Sequence, residues 1–147
     1  MVKTNSLKAW FLAARPKTLS AAAVPVLMGI AFAYRATIMS KDTWITEQPN
    51  GIIYTGMQLH KYYLDGEFHW MPAILCLLFA WVMQIDSNFV NDYFDFKHGN
   101  DDETRLGPKR ACSEGWITPK AMKWGIGITT LLGCLIGLPL VIYGGME

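Results

Sequence analysis

The sequence predicts an all-α integral membrane protein built on three transmembrane helices. Two observations carry this. Apolar residues collect in runs at about 19–39, 71–96 and 124–143, each near the roughly 20 residues a helix needs to cross the hydrocarbon core. Most charges lie between the runs rather than within them. The average composition, 52% hydrophobic and 13% aromatic against 17% charged over 147 residues, hides this strong segregation. The formal charge of +1 carries no signature of nucleic-acid binding.

Residues 1–14 read as a short amphipathic lead-in, with Leu7, Trp10 and Phe11 placed to rest on the membrane interface. ARPKTL (14–19) then sets two cations and a proline at the start of the first span. They read either as interfacial anchors at a helix start or, for Arg15, as a grip on an anionic substrate group. Pro25 lies inside this span, where neighbouring helices re-satisfy the backbone, and Arg35 near its far end can snorkel. The run begins late and no small-residue cleavage site follows it, which argues against a removable signal peptide. Residues 40–70 form a loop too long for a plain turn, in which KYYLDGEFHW (61–70) carries a hairpin signal. His60 and His69 lack a third ligand at metal-binding spacing.

The second span is apolar from Met71 to Met83 and then turns polar. A helix of roughly 26 residues reaches about 39 Å, so its last two turns emerge from the hydrocarbon. Asp86 sits about 160° from Asn88 on a helical wheel and is expected to meet another helix. An aspartate at the bilayer centre costs about 2.5–3.5 kcal/mol on insertion scales, less near the edge. A loop at about 97–118 follows, and Thr118 then Pro119 supply an N-cap and first-turn proline for the third span. That span is uncharged from Trp124 to Tyr143, and Gly133 and Gly137 form a GxxxG pair suited to close packing.

Basic residues set the topology. Lys3, Lys8, Arg15 and Lys17 precede the first span, and Lys97, Arg105, Lys109, Arg110, Lys120 and Lys123 flank the second loop, against Arg35, Lys41 and Lys61 around the first. The positive-inside rule places the N-terminus and the second loop in the cytoplasm, across an inner membrane. Cys76, Cys112 and Cys134 form no disulfide framework or zinc spacing and read as two packing residues and one loop thiol.

The candidate site is the stretch from 84 to 110. Gln84, Asn88, Asn91, Asp92 and Asp95 recur at three- and four-residue steps, which on a helix gathers them in one stripe about 100° wide. The simplest structural use of such a stripe is a polar face closing a helix bundle. The chemical use is a metal site. Mg²⁺ takes oxygen ligands, often one or two carboxylates plus substrate phosphates and water, and Asn88, Asp92 and Asp95 offer oxygens at i, i+4 and i+7. Asp101 and Asp102 would extend a cation site, while Arg105, Lys109 and Arg110 would face phosphate oxygens. A membrane-bound diphosphate ester held this way becomes a better leaving group, because the charge developing on it is stabilised.

SNFVNDYFDF followed by GND and RLGPKR resembles the first aspartate-rich motif of the UbiA superfamily of intramembrane prenyltransferases. ARPKTL and the GWIT after the loop are similar to the branch of that family that prenylates 1,4-dihydroxy-2-naphthoate in menaquinone biosynthesis. The resemblance implies an all-helical, many-span bundle around a central cavity. It implies that Asn88, Asp92 and Asp95 or Asp101 hold Mg²⁺ and a polyprenyl diphosphate, with Asp92 and Asp95 catalytic. It further implies that Asn91, Lys97, Arg105 and Arg110 contact substrate and that Arg15 lies near the aromatic acceptor. The implied reaction joins the naphthoate ring to the prenyl cation with loss of the ring carboxylate, giving a demethylmenaquinone.

Family members carry a second aspartate-rich motif on a later helix, and the sequence to Glu147 holds none. The expectation is an N-terminal portion of a single prenyltransferase domain, an incomplete bundle inactive by itself. The alternative is a truncated, non-catalytic membrane fragment, or a half that binds a partner chain carrying the later helices. A soluble prenyl synthase is excluded by the three spans, and an EF-hand by the missing DxDxDG spacing.

Overall fold

The computed structural model describes residues 2–42, 68–99 and 109–145. Among them the chain is all-α, in four helices: α1 (Leu7–Ala14), α2 (Pro16–Asp42), α3 (Trp70–His98) and α4 (Pro119–Gly145). The last three are long and apolar enough to cross a membrane. The hairpin expected at 61–70 and the basic and acidic residues of 100–108 fall largely outside the described residues.

Helix α3 is the central element, since it packs on α1, α2 and α4. Its tightest seam is with α4, and glycine makes it so. A Cβ on Gly133 would stand 2.9 Å from Met83 Sδ, and one on Gly137 would stand 3.1 Å from Phe79 Cε2. The GxxxG pair therefore admits α3 side chains into the space its own side chains vacate. Gly125, nearly two turns into α4, does the same for Trp10 of α1, whose Cζ3 lies 2.6 Å from where a Cβ would sit. Trp10 in turn stands edge-on to Phe89 of α3, with ring centroids 5.4 Å apart.

Most apolar surface faces outward, as a membrane solvent requires. On α4, Ile128, Leu131, Leu135, Leu138, Val141 and Ile142 are all exposed. The buried cluster is small and lies at one end of the bundle, where Ala9 and Ala13 of α1 meet Phe89, Ala111, Cys112, Ile117 and Met122. At the opposite end Phe68 stands edge to face with Tyr34 of α2 and with Trp70, the closer pair at 4.8 Å, while Tyr34 and Trp70 are tilted to each other.

Local caps explain where helices begin. The Ser6 hydroxyl accepts from Ala9 N at 3.3 Å to start α1. Arg15, in the left-handed region at φ 51°, closes α1 and turns the chain into Pro16 of α2. Helices α2 and α4 continue through Pro25 and Pro139. As the sequence suggests, Thr118 caps α4: its hydroxyl accepts from Ala121 N at 3.3 Å, and Pro119 takes the first helical position. Gly99, at φ 68°, ends α3.

Candidate functional site

The polar stripe of α3 is helical throughout, but its members serve different neighbours. Asn88, only 5% exposed, donates from Nδ2 to Ala14 O at 2.9 Å and to Thr18 Oγ1 at 3.0 Å. It thereby ties α3 to the bend between α1 and α2, and Gln84 Nε2 donates to its carbonyl oxygen at 3.4 Å. Asp92 is 1% exposed. Its Oδ2 accepts from Ala111 N at 2.8 Å and its Oδ1 from Cys112 N at 2.9 Å. Asp95, one turn further, forms a salt bridge with Arg110 Nη2.

These contacts differ from the expectation that Asn88, Asp92 and Asp95 share one ligand set. The reason is geometric. A stripe about 100° wide is broad enough to be divided, and three different segments pack against it. Asn88 spends its polar atoms on Ala14 O and the Thr18 and Gln84 side chains, and Asp92 spends its own on two buried backbone amides, where an unmade bond is costly. Among the described residues no three acids, histidines or cysteines come together to hold a metal ion.

Toward the end of α3, Asn91 and Asp95 keep part of their side chains accessible. Asn91 is exposed, and the Asp95 side chain is 29% exposed beside an Arg110 side chain that is 8% exposed. They lie at i and i+4, so their side chains share a helix face. Lys97 in the last turn of α3 is exposed. Arg15 sits next to Ala14, whose carbonyl Asn88 holds. Asp101, Asp102 and Arg105 fall outside the described residues.

Segment 109–118 approaches α3 as a compact turn. Glu114 N donates to Arg110 O at 3.0 Å, and Trp116 N and Ile117 N donate to Ala111 O at 2.8 and 3.1 Å. The N-terminal tail clasps its far side. Asn5 N donates to Trp116 O at 2.8 Å, Asn5 Oδ1 accepts from Thr118 N at 3.1 Å, and Thr4 Oγ1 donates to Gly115 O at 3.1 Å. Asn5 adopts φ 56° to do so; asparagine is among the residues that tolerate this region best. Nothing in the sequence pattern marks Asn5 for this role, since its partner is more than a hundred positions away.

Asp86 finds the helix that its position requires. Its Oδ1 accepts from Thr129 and, at 3.1 Å, from Thr130, both on α4. Paired threonines within an otherwise apolar span are the sequence signal that would have found this contact. Cys112 is buried in the turn, while Cys76 and Cys134 are exposed.

Three helices apolar enough to span a membrane, with acids, amides and an arginine gathered near one end of the central one, define a multi-pass membrane protein with a polar site at a helix end. More particularly, the chain is similar in sequence to three naphthoate prenyltransferases. It is 33% identical over 133 residues to the 1,4-dihydroxy-2-naphthoate octaprenyltransferase of Haemophilus influenzae, covering 90% of this chain and 34% of that protein. With the enzyme of the same name from Escherichia coli it shares 34% identity over 91% of its own length and 34% of the relative's. The Mycobacterium tuberculosis counterpart is 30% identical over 93% of the chain and 37% of the relative. The chain thus spans about a third of the length of the curated relatives it matches. No family model matches it, and no solved structure does.

Proposed function

We propose that this chain supplies one wall of a Mg²⁺-dependent site that transfers a polyprenyl group from its diphosphate to 1,4-dihydroxy-2-naphthoate, giving demethylmenaquinone, as part of a longer enzyme. The observation that carries the reading is the Asp95–Arg110 pair with Asn91 one turn away, at the polar end of an apolar helix. Similarity to 1,4-dihydroxy-2-naphthoate octaprenyltransferases supports this choice of donor and acceptor. Basic residues around 97–123 and before the first span favour a cytoplasmic N-terminus in the inner membrane, with this helix end on the cytoplasmic side.

The donor set suits the ion. An amide and a carboxylate oxygen one turn apart offer a hard cation part of its shell, the rest coming from substrate phosphates, water and Asp101. Bound Mg²⁺ would stabilise negative charge on the departing diphosphate. The protein's own side chains do the remainder. Arg110, Lys97 and Arg105 offer donors to the diphosphate oxygens, with Arg110 held in orientation by Asp95. Arg15 offers a cation to the carboxylate of the acceptor. The apolar faces of the spans hold the prenyl tail and keep water from the allylic cation.

The test is a membrane assay with polyprenyl diphosphate, 1,4-dihydroxy-2-naphthoate and Mg²⁺, on this chain co-expressed with a chain carrying the remaining spans of a relative. Asp95→Asn is expected to lower turnover by about 10²-fold or more, the usual scale for losing one electrostatic stabiliser. Equal turnover by native and variant would remove the assigned role. The competing outcome is a non-catalytic, partner-binding half. Absence of turnover under co-expression, with both chains in the membrane, selects it.

A further inference from the structure

We propose that Asp92, assisted by Asn5, is a positioning residue that fixes segment 109–118 against α3 and thereby sets Arg110 at the site. The assignment of Arg110 to the diphosphate rests on the function proposed above; the anchoring does not. Both Asp92 oxygens are committed to consecutive amides of the segment, those of Ala111 and Cys112, at 2.8 and 2.9 Å. With 1% of its surface exposed, the carboxylate is turned into the protein and away from any solvent-side ligand.

The pairing is in register. Asp92 and Asp95, one helical turn apart on α3, meet residues 110, 111 and 112 in sequence: Asp95 takes the Arg110 side chain, and Asp92 takes the next two backbone amides. The same segment is held from behind by Asn5, through Trp116 O and Thr118 N. Arg110 therefore projects from a turn bolted at both ends. An aspartate suits this position because one carboxylate accepts two parallel N–H groups, whereas an asparagine would set an amide N–H against one of them.

Cys112 makes the anchoring measurable without catalysis, because its thiol belongs to a residue only 3% exposed. The experiment uses the full chain in detergent micelles, with Cys76→Ser and Cys134→Ser to leave one reactive position. Maleimide labelling of Cys112 is followed in the native background and in Asp92→Asn, Asp95→Asn and Asn5→Gly. Asp92→Asn is expected to speed labelling at least tenfold, and Asn5→Gly severalfold, while Asp95→Asn leaves Cys112 protected. In the co-expression assay, Asp92→Asn is expected to raise KM for prenyl diphosphate with an unchanged Mg²⁺ activation midpoint, and Asp95→Asn to shift that midpoint.

Native labelling rates in both Asp92→Asn and Asn5→Gly would overturn the proposal. So would an Mg²⁺ midpoint that moves in Asp92→Asn as it does in Asp95→Asn. Should Asp92→Asn fail to fold, Asn5→Gly alone decides, by its labelling rate. Absence of turnover from every co-expressed form, native included, counts against the proposed function, while the labelling result still decides the anchoring.

Discussion

Removing the two hydroxyls that face Asp86 is expected to loosen the α3–α4 seam far more than removing Asp86 itself. Asp86 lies about 24 Å along the helix axis from Trp70, within a hydrocarbon core about 30 Å thick. Its Oδ1 accepts from Thr129 and Thr130. Replacing both threonines by valine conserves volume and strips the carboxyl of both donors. Insertion scales charge about 2.5–3.5 kcal/mol for an aspartate at mid-membrane, and breaking a buried charge from its partners costs about 3–5 kcal/mol. The expected loss is about 2–4 kcal/mol. Asp86→Leu is different, because nothing is stranded. Thr129 Oγ1 already lies 3.0 Å from Gly125 O, to which it can donate, and Thr130 is exposed. Interhelical hydrogen bonds in membranes average only about 0.6 kcal/mol, and the acid's own burial cost disappears. Asp86→Leu should therefore stay within about 1 kcal/mol of native. The assay is unfolding in mixed dodecyl maltoside and dodecyl sulfate micelles, read by far-UV circular dichroism. Equal destabilisation by the two changes, or a larger effect of Asp86→Leu, would refute the reasoning.

Two further outcomes follow from the cluster around α1. Asn88→Ala should cost about 1–2 kcal/mol by leaving Ala14 O without its donor. Asn88→Asp should cost more, since it sets a carboxylate oxygen against that carbonyl, and the same micelle unfolding ranks the two. Gly125→Ala should cost about 1–3 kcal/mol, the usual range for overpacking, because the new methyl would meet Trp10 Cζ3 at 2.6 Å. Adding Trp10→Phe should recover part of that loss and change the tryptophan fluorescence of the folded state.

What the sequence made legible is what depends on local pattern. Span lengths, the Thr118–Pro119 start of α4 and the packing role of Gly133 and Gly137 follow from periodicity, capping chemistry and side-chain size, and the structure has each of them. Those properties belong to one helix or to adjacent residues. The division of the stripe does not. On a helical wheel Asn88, Asn91, Asp92 and Asp95 are neighbours, and residue type alone makes each an oxygen donor. How each is used depends on segments far away in the chain: the α1–α2 bend claims the Asn88 amide nitrogen, and the turn at 110–112 claims both Asp92 oxygens.

The same distinction explains why an aspartate-rich motif can combine two kinds of work. A carboxylate one turn deeper, at Asp92, meets backbone amides that burial obliges it to satisfy. A carboxylate one turn nearer the helix end, at Asp95, meets a cation and keeps part of its surface open. Substitution of either removes a negative charge from the same helix, so loss of activity alone cannot separate them. Their partners can. Losing Asp92 releases two amides and the Cys112 they protect, whereas losing Asp95 releases the guanidinium of Arg110. An aspartate in such a motif is therefore assigned by what its oxygens touch, and of these two only Asp95 touches a cationic side chain, the kind of group that pairs with a phosphate.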